Sequence, residues 1–557
     1  MRLFRVTAVA FTASLFLGAA PSPYPGHPVT SPEIKAADIL ARDKAISSDA
    51  FEGRGPGTKN GEAAAQWLAD ELKRIGVKPG NHGSYFQKVP SVVIALDPTK
   101  SSLSIDTPKG TMTPKFADEV VYWTPHYASD EVKVTKSPLV FVGYGVVAPE
   151  YGWNDYKGVD VKGKTVVILV NDPGNEDAHP DPKFFKGKAM TYYGRWTYKY
   201  EEAARQGAAA AIIVHETIPA AYGWQVVRNS NTGNLSWLPS KDKNASKLPI
   251  ESWITHETAE ELFKRAGMNY EQMKAEANKR GFKAVLMNET LNIDAVSHIS
   301  YLATRNVVGI IPGTKHPGDV VMYSAHWDHL GYKPQLPGPD KIYNGAIDNG
   351  MGDSMILELA EDFEHDPAPQ RTIAICFWTL EEQGLLGSEY FAEHPVWPLS
   401  HIVAETNLDA DLPVGATHDM TYRGSTESQL EDYLAAALKT QDRVLTPDPE
   451  PEKGGFFRSD HFSFAKFGVP AFTPDSGIDL VDGGVKAGMA ARDYYRIHHY
   501  HQPSDEFDPN WKMANIVEDI QALHIMGEKL ANSDVWPDWR VDSEFRAAHQ
   551  KLVVERH

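Results

Sequence analysis

The chain has 557 residues, of which 42% are hydrophobic and 10% aromatic, so it can fill the cores of two or three domains and is not a disordered protein. Its formal net charge of −19 argues against nucleic acid or an anionic membrane surface as a partner. The single cysteine, Cys376, lies in an apolar run, so we expect a buried thiol and no internal disulfide.

The N-terminus has the pattern of an export signal. The basic start MRLFR precedes the apolar run VTAVAFTASLFLGAA and the Pro-rich PSPYPGHP. This order is typical of a secretory signal peptide, and the run is shorter than the roughly 20 residues that a membrane-spanning helix needs. We therefore expect residues 1–20 to be cleaved near Ala20, leaving a periplasmic or secreted protein without a membrane span.

The next two segments predict a first part of the main domain and an inserted module. In 33–137, EAAAQWLADELKRI has apolar residues at helical spacing, and the predicted helix stops before Gly76. Alternating β-type segments follow from about 90 to 135. In 138–290, strands, a helix and a long polar loop at 219–247 predict a separate β-rich module. No His/Asp/Glu group with ligand spacing occurs there, so we expect it to shape the substrate site or to bind a protein.

From residue 303 onwards, strands alternate with helices. The runs NVVGIIPG, DVVMYSAHWD, RTIAICFWTLEE and HIVAETNLDAD predict buried strands, and helical patterns separate them. This alternation predicts an α/β fold of three layers, with a mostly parallel mixed sheet flanked by helices. We assign residues 291–535 to this main domain, with its last helix packed on the sheet, and 536–557 to a C-terminal extension.

Five residues of metal-ligand type lie on five separate motifs in this domain. They are His326 in SAHWDHLG, Asp348 in NGAIDNGMG, Glu382 in WTLEEQGLLGS, Asp409 in ETNLDAD and His501 in HHYHQPSDEFD. Two imidazoles and three carboxylates suit a pair of zinc ions that share one bridging carboxylate. All five fall at strand ends or in the following loops, where ligands of open α/β sheets gather.

Two further acids are expected to support these ligands. Asp328 follows His326 by two residues and is placed to accept its second ring proton. Glu381 and Glu382 end an apolar strand, where two unpaired carboxylates would be costly to bury. A metal ion beside Glu382 and proton transfer by Glu381 would resolve that cost. We expect burial and neighbouring carboxylates to raise the pKa of Glu381.

Other residues compete for these assignments. His329 is a weaker alternative to His326. Glu405 and Asp411 are rivals of Asp409, with solvated loop positions as their ordinary interpretation. His498 and His499 are rivals of His501, but the Tyr-His-x-Pro-x-Asp context favours His501. Asp460 and His461 are expected to support the site from its rim. The chain has no G-x-S-x-G, Walker, G-x-G-x-x-G or H-E-x-x-H motif, which argues against the corresponding enzyme classes.

In this order, the five motifs resemble those of the dizinc metallopeptidase family that includes bacterial secreted aminopeptidases and glutamate carboxypeptidase. The segment FEGRGPGTKNGEAAAQWLADELKRIG is similar to the opening of that family, and 138–290 looks like its protease-associated domain. The resemblance implies that His326 and Asp409 bind one zinc ion, Glu382 and His501 the other, and that Asp348 bridges them.

The resemblance also implies the catalytic residues. Glu381 matches the general base that activates a metal-bridging water, and Tyr500 matches the residue that stabilises the oxyanion. Met351 departs from the family pattern, because many members have Ser or Thr at this position.

The expected function is hydrolysis of peptide substrates by an exported zinc exopeptidase of the aminopeptidase type. A glutamate-carboxypeptidase-type enzyme is the second interpretation and requires basic residues for the substrate carboxylate, for which Arg423 and Arg458 are the nearby candidates. A glutaminyl cyclase with one zinc ion is the third. From a different class, a non-catalytic receptor-like relative would be expected to lose ligands, whereas this chain has all of them.

Overall fold

The structure is a computed structural model that describes residues 22–175, 177, 179–334, 338–425 and 427–556. The predicted signal peptide, 1–20, lies outside the described residues. No helix in the described part of the chain combines the length and apolar character needed to cross a bilayer.

Helices flank two groups of strands in the described part of the chain. The α-helices are α1 (Ala36–Ile46), α2 (Lys59–Ile75), α3 (Trp196–Arg205), α4 (Thr217–Ala220), α5 (Trp224–Asn231), α6 (His256–Arg265), α7 (Tyr270–Ala277), α8 (Gly352–His365), α9 (Leu386–Glu393), α10 (Leu430–Leu438), α11 (His461–Lys466), α12 (Gly484–His498), α13 (Ala514–Ala531) and α14 (Arg546–Arg556).

The strands before the metal-ligand motifs are β1 (Lys78–Pro79), β2 (Phe86–Leu96), β3 (Ser102–Thr107), β4 (Gly110–Met112), β5 (Val120–Trp123), β6 (Glu131–Phe141), β7 (Val147–Ala148), β8 (Trp153–Asn154), β9 (Thr165–Leu169), β10 (Ala210–His215), β11 (Asn234–Trp237), β12 (Ile250–Thr255) and β13 (Val285–Ile311). The remaining strands are β14 (His316–His326), β15 (Gly331–Tyr332), β16 (Ile342–Tyr343), β17 (Arg371–Trp378), β18 (Ile402–Asn407), β19 (Asp419–Tyr422), β20 (Val444–Thr446), β21 (Ala471–Phe472) and β22 (Pro474–Asp475).

The main domain is built on the sheet order β21–β18–β14–β17–β13. The first four of these strands are parallel, and β13 runs antiparallel to β17. Every residue of β17 is buried, because side chains alternate between two covered faces. Ile373, Ile375 and Phe377 join the core under α1, α2, α8 and α13, whereas Ala374 and Cys376 join the core under α9, α11 and α14. The predicted three-layer α/β fold is confirmed, and Cys376 is free and buried.

Helix α2 shows how local sequence sets an element that covers the sheet. Thr58 begins the helix by accepting a hydrogen bond from the Gly61 N–H at 3.0 Å. Gly76 ends it with φ of 104°, a left-handed conformation that glycine adopts without strain. Between them, Trp67, Leu68 and other apolar residues pack into the core.

The second group of strands forms an α/β module of its own. Strands β6, β9, β10 and β12 are parallel neighbours, and β3, β5 and β13 pair antiparallel with members of the group. The expected boundary at 138 therefore lies inside β6, and the boundary at 290 lies inside β13. Part of the predicted polar loop at 219–247 is regular, because it contains α5 and β11. The identity of this module as a protease-associated domain stays a prediction.

The predicted C-terminal extension packs on the main domain. The Trp539 indole N–H donates to the Gly468 carbonyl at 3.0 Å, and His549 Nδ1 bonds the same oxygen at 2.8 Å. Arg556, at the end of α14, donates to the Ser400 carbonyl at 2.7 Å.

Candidate metal centre

Three of the ligand motifs meet because their strands are parallel and in register. His326, the last residue of β14, lies opposite Trp378, the last residue of β17. Ser324 of β14 lies opposite Asn407, where β18 ends. The residues that follow these strand ends, including Asp409, therefore lie at one edge of the sheet.

Asp348 lies between the two histidines predicted to bind metal. Its Oδ1 is 3.3 Å from His326 Nε2, and its Oδ2 is 3.2 Å from His501 Nε2. Asp348 is 3% exposed, so its carboxylate is held between the two imidazoles away from solvent. This is the arrangement expected of a carboxylate that bridges two cations.

The remaining carboxylates fall on either side of this bridge. Asp409 Oδ1 is 3.5 Å from His326 Nε2, and Glu381 Oε2 is 4.0 Å from the same nitrogen. Glu382 Oε2 is 3.0 Å from His501 Nε2. The five predicted ligands therefore form two groups joined by Asp348, with Glu381 next to the His326 group.

Glu381 is nearly enclosed, with a side chain that is 11% exposed. Burial raises the pKa of its carboxyl group well above the ordinary value, and the Asp409 and Glu382 carboxylates add to the increase, although His326 opposes it. The Glu381 N–H donates to Asp328 Oδ1 at 3.1 Å, which fixes the strand end that carries the two glutamates.

The role of Asp328 differs from the expectation in one respect. His326 Nδ1 lies 3.1 Å from the backbone carbonyl oxygen of Asp328, not against its carboxylate. The carboxylate instead accepts a hydrogen bond from the Glu381 backbone N–H. Asp328 thus orients the His326 ring through its main chain and the Glu381 main chain through its side chain.

The loop that carries His501 is joined to the loop that carries Asp348. Asp505 accepts hydrogen bonds from the backbone N–H groups of Ile347 and Asp348, both at 3.0 Å, and from the Tyr495 hydroxyl at 3.1 Å. His501 has a φ of 55°, a left-handed conformation that is costly for a residue other than glycine. Such a conformation persists only where surrounding contacts fix it. These contacts align its imidazole with the bridging carboxylate.

His329, given little weight from the sequence, lies inside the cluster. It is fully buried, and its Nδ1 is 2.5 Å from Glu382 Oε1. Its Nε2 has no hydrogen-bond partner among the described residues. A second imidazole three residues after His326 in the same motif was the available sequence signal.

Two residues hold Asp409 from the side away from His326. Ser459 donates its hydroxyl to Asp409 Oδ2 at 2.6 Å, and Arg423 Nη1 is 3.2 Å from the same oxygen. Arg423 also donates to the Asp409 backbone carbonyl and lies 3.5 Å from Asp475 Oδ2. Arg423, considered as a carboxylate-binding residue, is thus already paired with two acids of the chain.

Arg54, in the FEGRGPG segment, fixes the backbone beside the ligands. This buried guanidinium donates to the carbonyl oxygens of Trp327 at 2.8 Å, Asn344 at 2.5 Å and Gly345 at 2.8 Å. Gly345 is required in the same loop, because a Cβ atom there would approach the Asp348 carbonyl oxygen to 2.3 Å. The N-terminal segment therefore links the His326 and Asp348 loops.

Tyr500 stacks directly on a metal-ligand candidate. Its ring centroid is 3.9 Å from that of His501, with an interplanar angle of 21°. Burial raises the pKa of the Tyr500 phenol, which keeps the hydroxyl protonated at neutral pH.

The competing residues occupy other positions. Asp411 and Glu405 are fully buried and not solvated as expected, and burial raises the pKa of both well above the ordinary value. Asp460 and His461 are also fully buried behind the cluster and not at its rim; Ser388 donates to Asp460 Oδ1 at 2.5 Å. His499 bonds the Ser504 carbonyl at 2.7 Å, away from the cluster.

One cluster in the inserted module was not expected. Ligand-type atoms of Glu216, His256 and Glu271 lie within 4.8 Å of one another. Lys274 Nζ is 2.9 Å from both Glu216 oxygens, so a cation of the chain already neutralises that carboxylate.

The main cluster fits a metal pair better than an ion-pair network. Two sets of ligand atoms lie within 4.8 Å: His326, Glu381 and Asp409, and His329, Asp348 and Glu382. Four carboxylates are concentrated here in a nearly solvent-free space, and buried charge of this density requires cations. Imidazole nitrogen and carboxylate oxygen are the donors that zinc accepts.

Comparison with known proteins agrees with this geometry. The profile of peptidase family M28 matches residues 306–525, which contain every residue of the cluster. Aminopeptidase YwaD of Bacillus subtilis is 36% identical over 293 residues, covering 51% of this chain and 52% of that protein. Carboxypeptidase Q of Xenopus laevis is 29% identical over 292 residues, covering 49% of this chain and 52% of that protein. The chain thus spans about half the length of these relatives.

A solved structure supports the fold across a larger part of the chain. The aminopeptidase from Aneurinibacillus sp. strain AM-1 superposes with a TM-score of 0.50 at 19% identity, covering 90% of this chain and 94% of that one. The family resemblance predicted from the five motifs is confirmed, because the match to peptidase family M28 covers residues 306–525.

Proposed function

We propose that this protein is an exported zinc exopeptidase that removes N-terminal residues from peptides. The observation that supports this most strongly is the position of Asp348, which faces His326 with one carboxylate oxygen and His501 with the other. A buried carboxylate between two imidazoles is suited to bridging two zinc ions.

The chain's own residues divide into two ligand sets in this proposal. His326 and Asp409 would hold one zinc ion, Glu382 and His501 the other, and Asp348 both. Zinc at such a site polarises a carbonyl group and lowers the pKa of water to about 7.

Glu381 is the proposed general base. Its carboxylate adjoins the His326 group. At 4.0 Å from His326 Nε2, it is farther from that ring than Asp348 at 3.3 Å and Asp409 at 3.5 Å. It would accept a proton from the attacking water at Oε2 and return it to the leaving amine, as a reversible acid–base catalyst does. Tyr500 would donate its hydroxyl proton in a hydrogen bond to the developing oxyanion.

Zinc content and turnover together test this function. The purified protein is loaded with zinc, dialysed, and assayed with aminoacyl-p-nitroanilides, N-blocked peptides and N-terminal glutaminyl peptides. We expect two zinc ions per chain and release from the free N-terminus. Release only from the C-terminus of N-blocked peptides would indicate a carboxypeptidase, pyroglutamate formation with one zinc ion would indicate a cyclase, and no turnover would favour a receptor-like relative.

Export is supported by the sequence MRLFRVTAVAFTASLFLGAA alone. Expression of the full chain in a bacterial host, followed by N-terminal sequencing of the periplasmic product, should identify a mature end near residue 21. An intact N-terminus in the cytoplasmic fraction would contradict export.

A further inference from the structure

Two arginines beside the candidate metal centre have no acidic partner among the residues that the structure describes. Arg195 precedes α3 in the inserted module, and Arg458 ends the turn Gly455–Arg458 of the main domain. Among the described residues, neither guanidinium forms an ion pair or a hydrogen bond. Arg195 instead lies over the Trp196 ring, and Arg458 over the Tyr222 ring. Unpaired guanidinium groups are unexpected in a chain with 55 basic and 74 acidic residues.

Packing between the module and the main domain brings these arginines together. The Met190 N–H donates to the Pro451 carbonyl at 3.1 Å. The Tyr192 ring centroid lies 5.9 Å from that of Phe457 and 5.1 Å from that of Phe462. These contacts fix the segment that leads into Arg195 against the segment that contains Arg458.

The charge of Arg458 acts on the guanidinium group of Arg195. Burial and, to a smaller extent, the charge of Arg458 lower the pKa of Arg195 to about 10, although Tyr222 opposes them, so Arg195 remains a cation at neutral pH. Arg458 also lies over an aromatic ring of the inserted module, with its Cζ 5.9 Å from the Tyr222 ring centroid. Two adjacent, partly desolvated cations repel one another unless an anion lies between them.

The pair lies next to the proposed catalytic groups. Arg458 directly precedes Ser459, which donates to Asp409 Oδ2 at 2.6 Å. The phenol of Tyr500, stacked on His501, lies near enough to Arg458 for that charge to lower its pKa, against the larger effect of burial. An anion held by the pair would therefore be close to the bond that is cleaved.

We propose that Arg195 and Arg458 together bind a carboxylate of the peptide substrate close to the scissile bond. Guanidinium and carboxylate groups form strong charge-assisted hydrogen bonds, often in pairs. Two kinds of substrate supply such a carboxylate: a dipeptide through its free C-terminus, and a longer peptide through an Asp or Glu side chain next to the cleaved bond. The inference rests on the proposed peptidase function and narrows its substrates to short or acidic peptides.

Matched pairs of substrates test the inference on the wild-type zinc enzyme. Leu-Ala is compared with Leu-Ala-amide, and Leu-Glu-amide with Leu-Gln-amide. We expect a preference in kcat/KM of about 10-fold or more for the carboxylate in one pair, since a charge-assisted hydrogen bond contributes that much. A preference in the first pair would identify the C-terminal carboxylate as the bound group. A preference in the second pair would identify the acidic side chain as the bound group. Equal rates within both pairs would overturn the inference alone, whereas no hydrolysis of any substrate would overturn the peptidase function as well.

Variants then assign the preference to the two arginines. Arg458→Gln and Arg195→Gln should each reduce the preference several-fold, mainly by raising KM for the carboxylate substrate, and the double variant should abolish it. Arg228→Gln, on the exposed part of the same module, should keep the preference. Zinc content and circular dichroism establish that each variant is folded. A preference unchanged in the folded double variant would contradict the assignment.

Discussion

Arg423 donates to both the side chain and the main chain of Asp409, while Ser459 donates to the same carboxylate oxygen, Oδ2. Asp409 Oδ1 is thereby directed towards His326 Nε2, 3.5 Å away. Arg423 and Ser459 would therefore orient the proposed ligand Asp409 without binding metal themselves, as is general for partners of metal ligands in proteins.

Arg423→Gln should weaken zinc binding by about 10- to 100-fold, the usual effect of removing such an orienting partner. Competition with a chromogenic chelator measures the affinity. Arg492→Gln is the matched control, because Arg492 binds Asp475 at 2.7 Å and has no bond to Asp409. Equal losses in the two variants would indicate a general effect of charge near Asp475.

Substitution of the two adjacent glutamates should separate catalysis from metal binding. Glu381→Gln should retain two zinc ions and lower kcat by about 100- to 10,000-fold, the contribution of a general base. Glu382→Gln should instead lower the zinc content, because this carboxylate faces His501 at 3.0 Å. Metal analysis and aminopeptidase assays on the same preparations measure both properties. Zinc loss from Glu381→Gln with retention in Glu382→Gln would reverse the assignment.

Tyr500→Phe should reduce kcat by about 100-fold or more, as loss of one oxyanion donor typically does. The ring that stacks on His501 is retained, so zinc content and KM should change little. Steady-state kinetics and metal analysis measure the effect. An unchanged kcat would exclude Tyr500 as an oxyanion donor.

His329→Gln should lower the affinity for one zinc ion by about 10- to 100-fold, because the ring orients Glu382 through the 2.5 Å contact. Stoichiometry should stay at two at saturating zinc, whereas His501→Ala should bind one. Isothermal titration of the zinc-free variants distinguishes the two effects. If His329→Gln binds one zinc ion and His501→Ala binds two, His329 is the ligand.

Arg54→Met should destabilise the protein by about 3 kcal/mol or more, because buried carbonyl groups of the two ligand loops lose their donor. Urea denaturation followed by tryptophan fluorescence measures the loss. Lys73→Met, at an exposed position of α2, is the control and should shift the midpoint little. Equal midpoints for the two variants would show that Arg54 is not structurally important.

Several features could be predicted from residue order alone. The alternation of apolar runs and helical patterns predicts the three-layer fold, because β17, β18 and the part of β14 from Val320 onwards are buried on both faces. The position of ligand-type residues after each strand predicts their assembly, because parallel strands end at one edge of a sheet. Both predictions depend on the local periodicity of apolar residues and on the order of strands and helices, which can be read from the sequence.

Contacts between distant segments could not be predicted in the same way. The pairing of Arg423 with Asp409, the burial of His329 and the span of Arg54 to Gly345 depend on side-chain directions after packing. The limits of the inserted module also depend on packing, because β3 and β5 pair with strands far along the chain. The sequence by itself determined the α/β fold of the main domain and the ligand-type residues of the cluster. Only the tertiary structure decided how each ligand-type side chain is oriented and which arginines lack an acidic partner in the described part of the chain, because both follow from long-range packing.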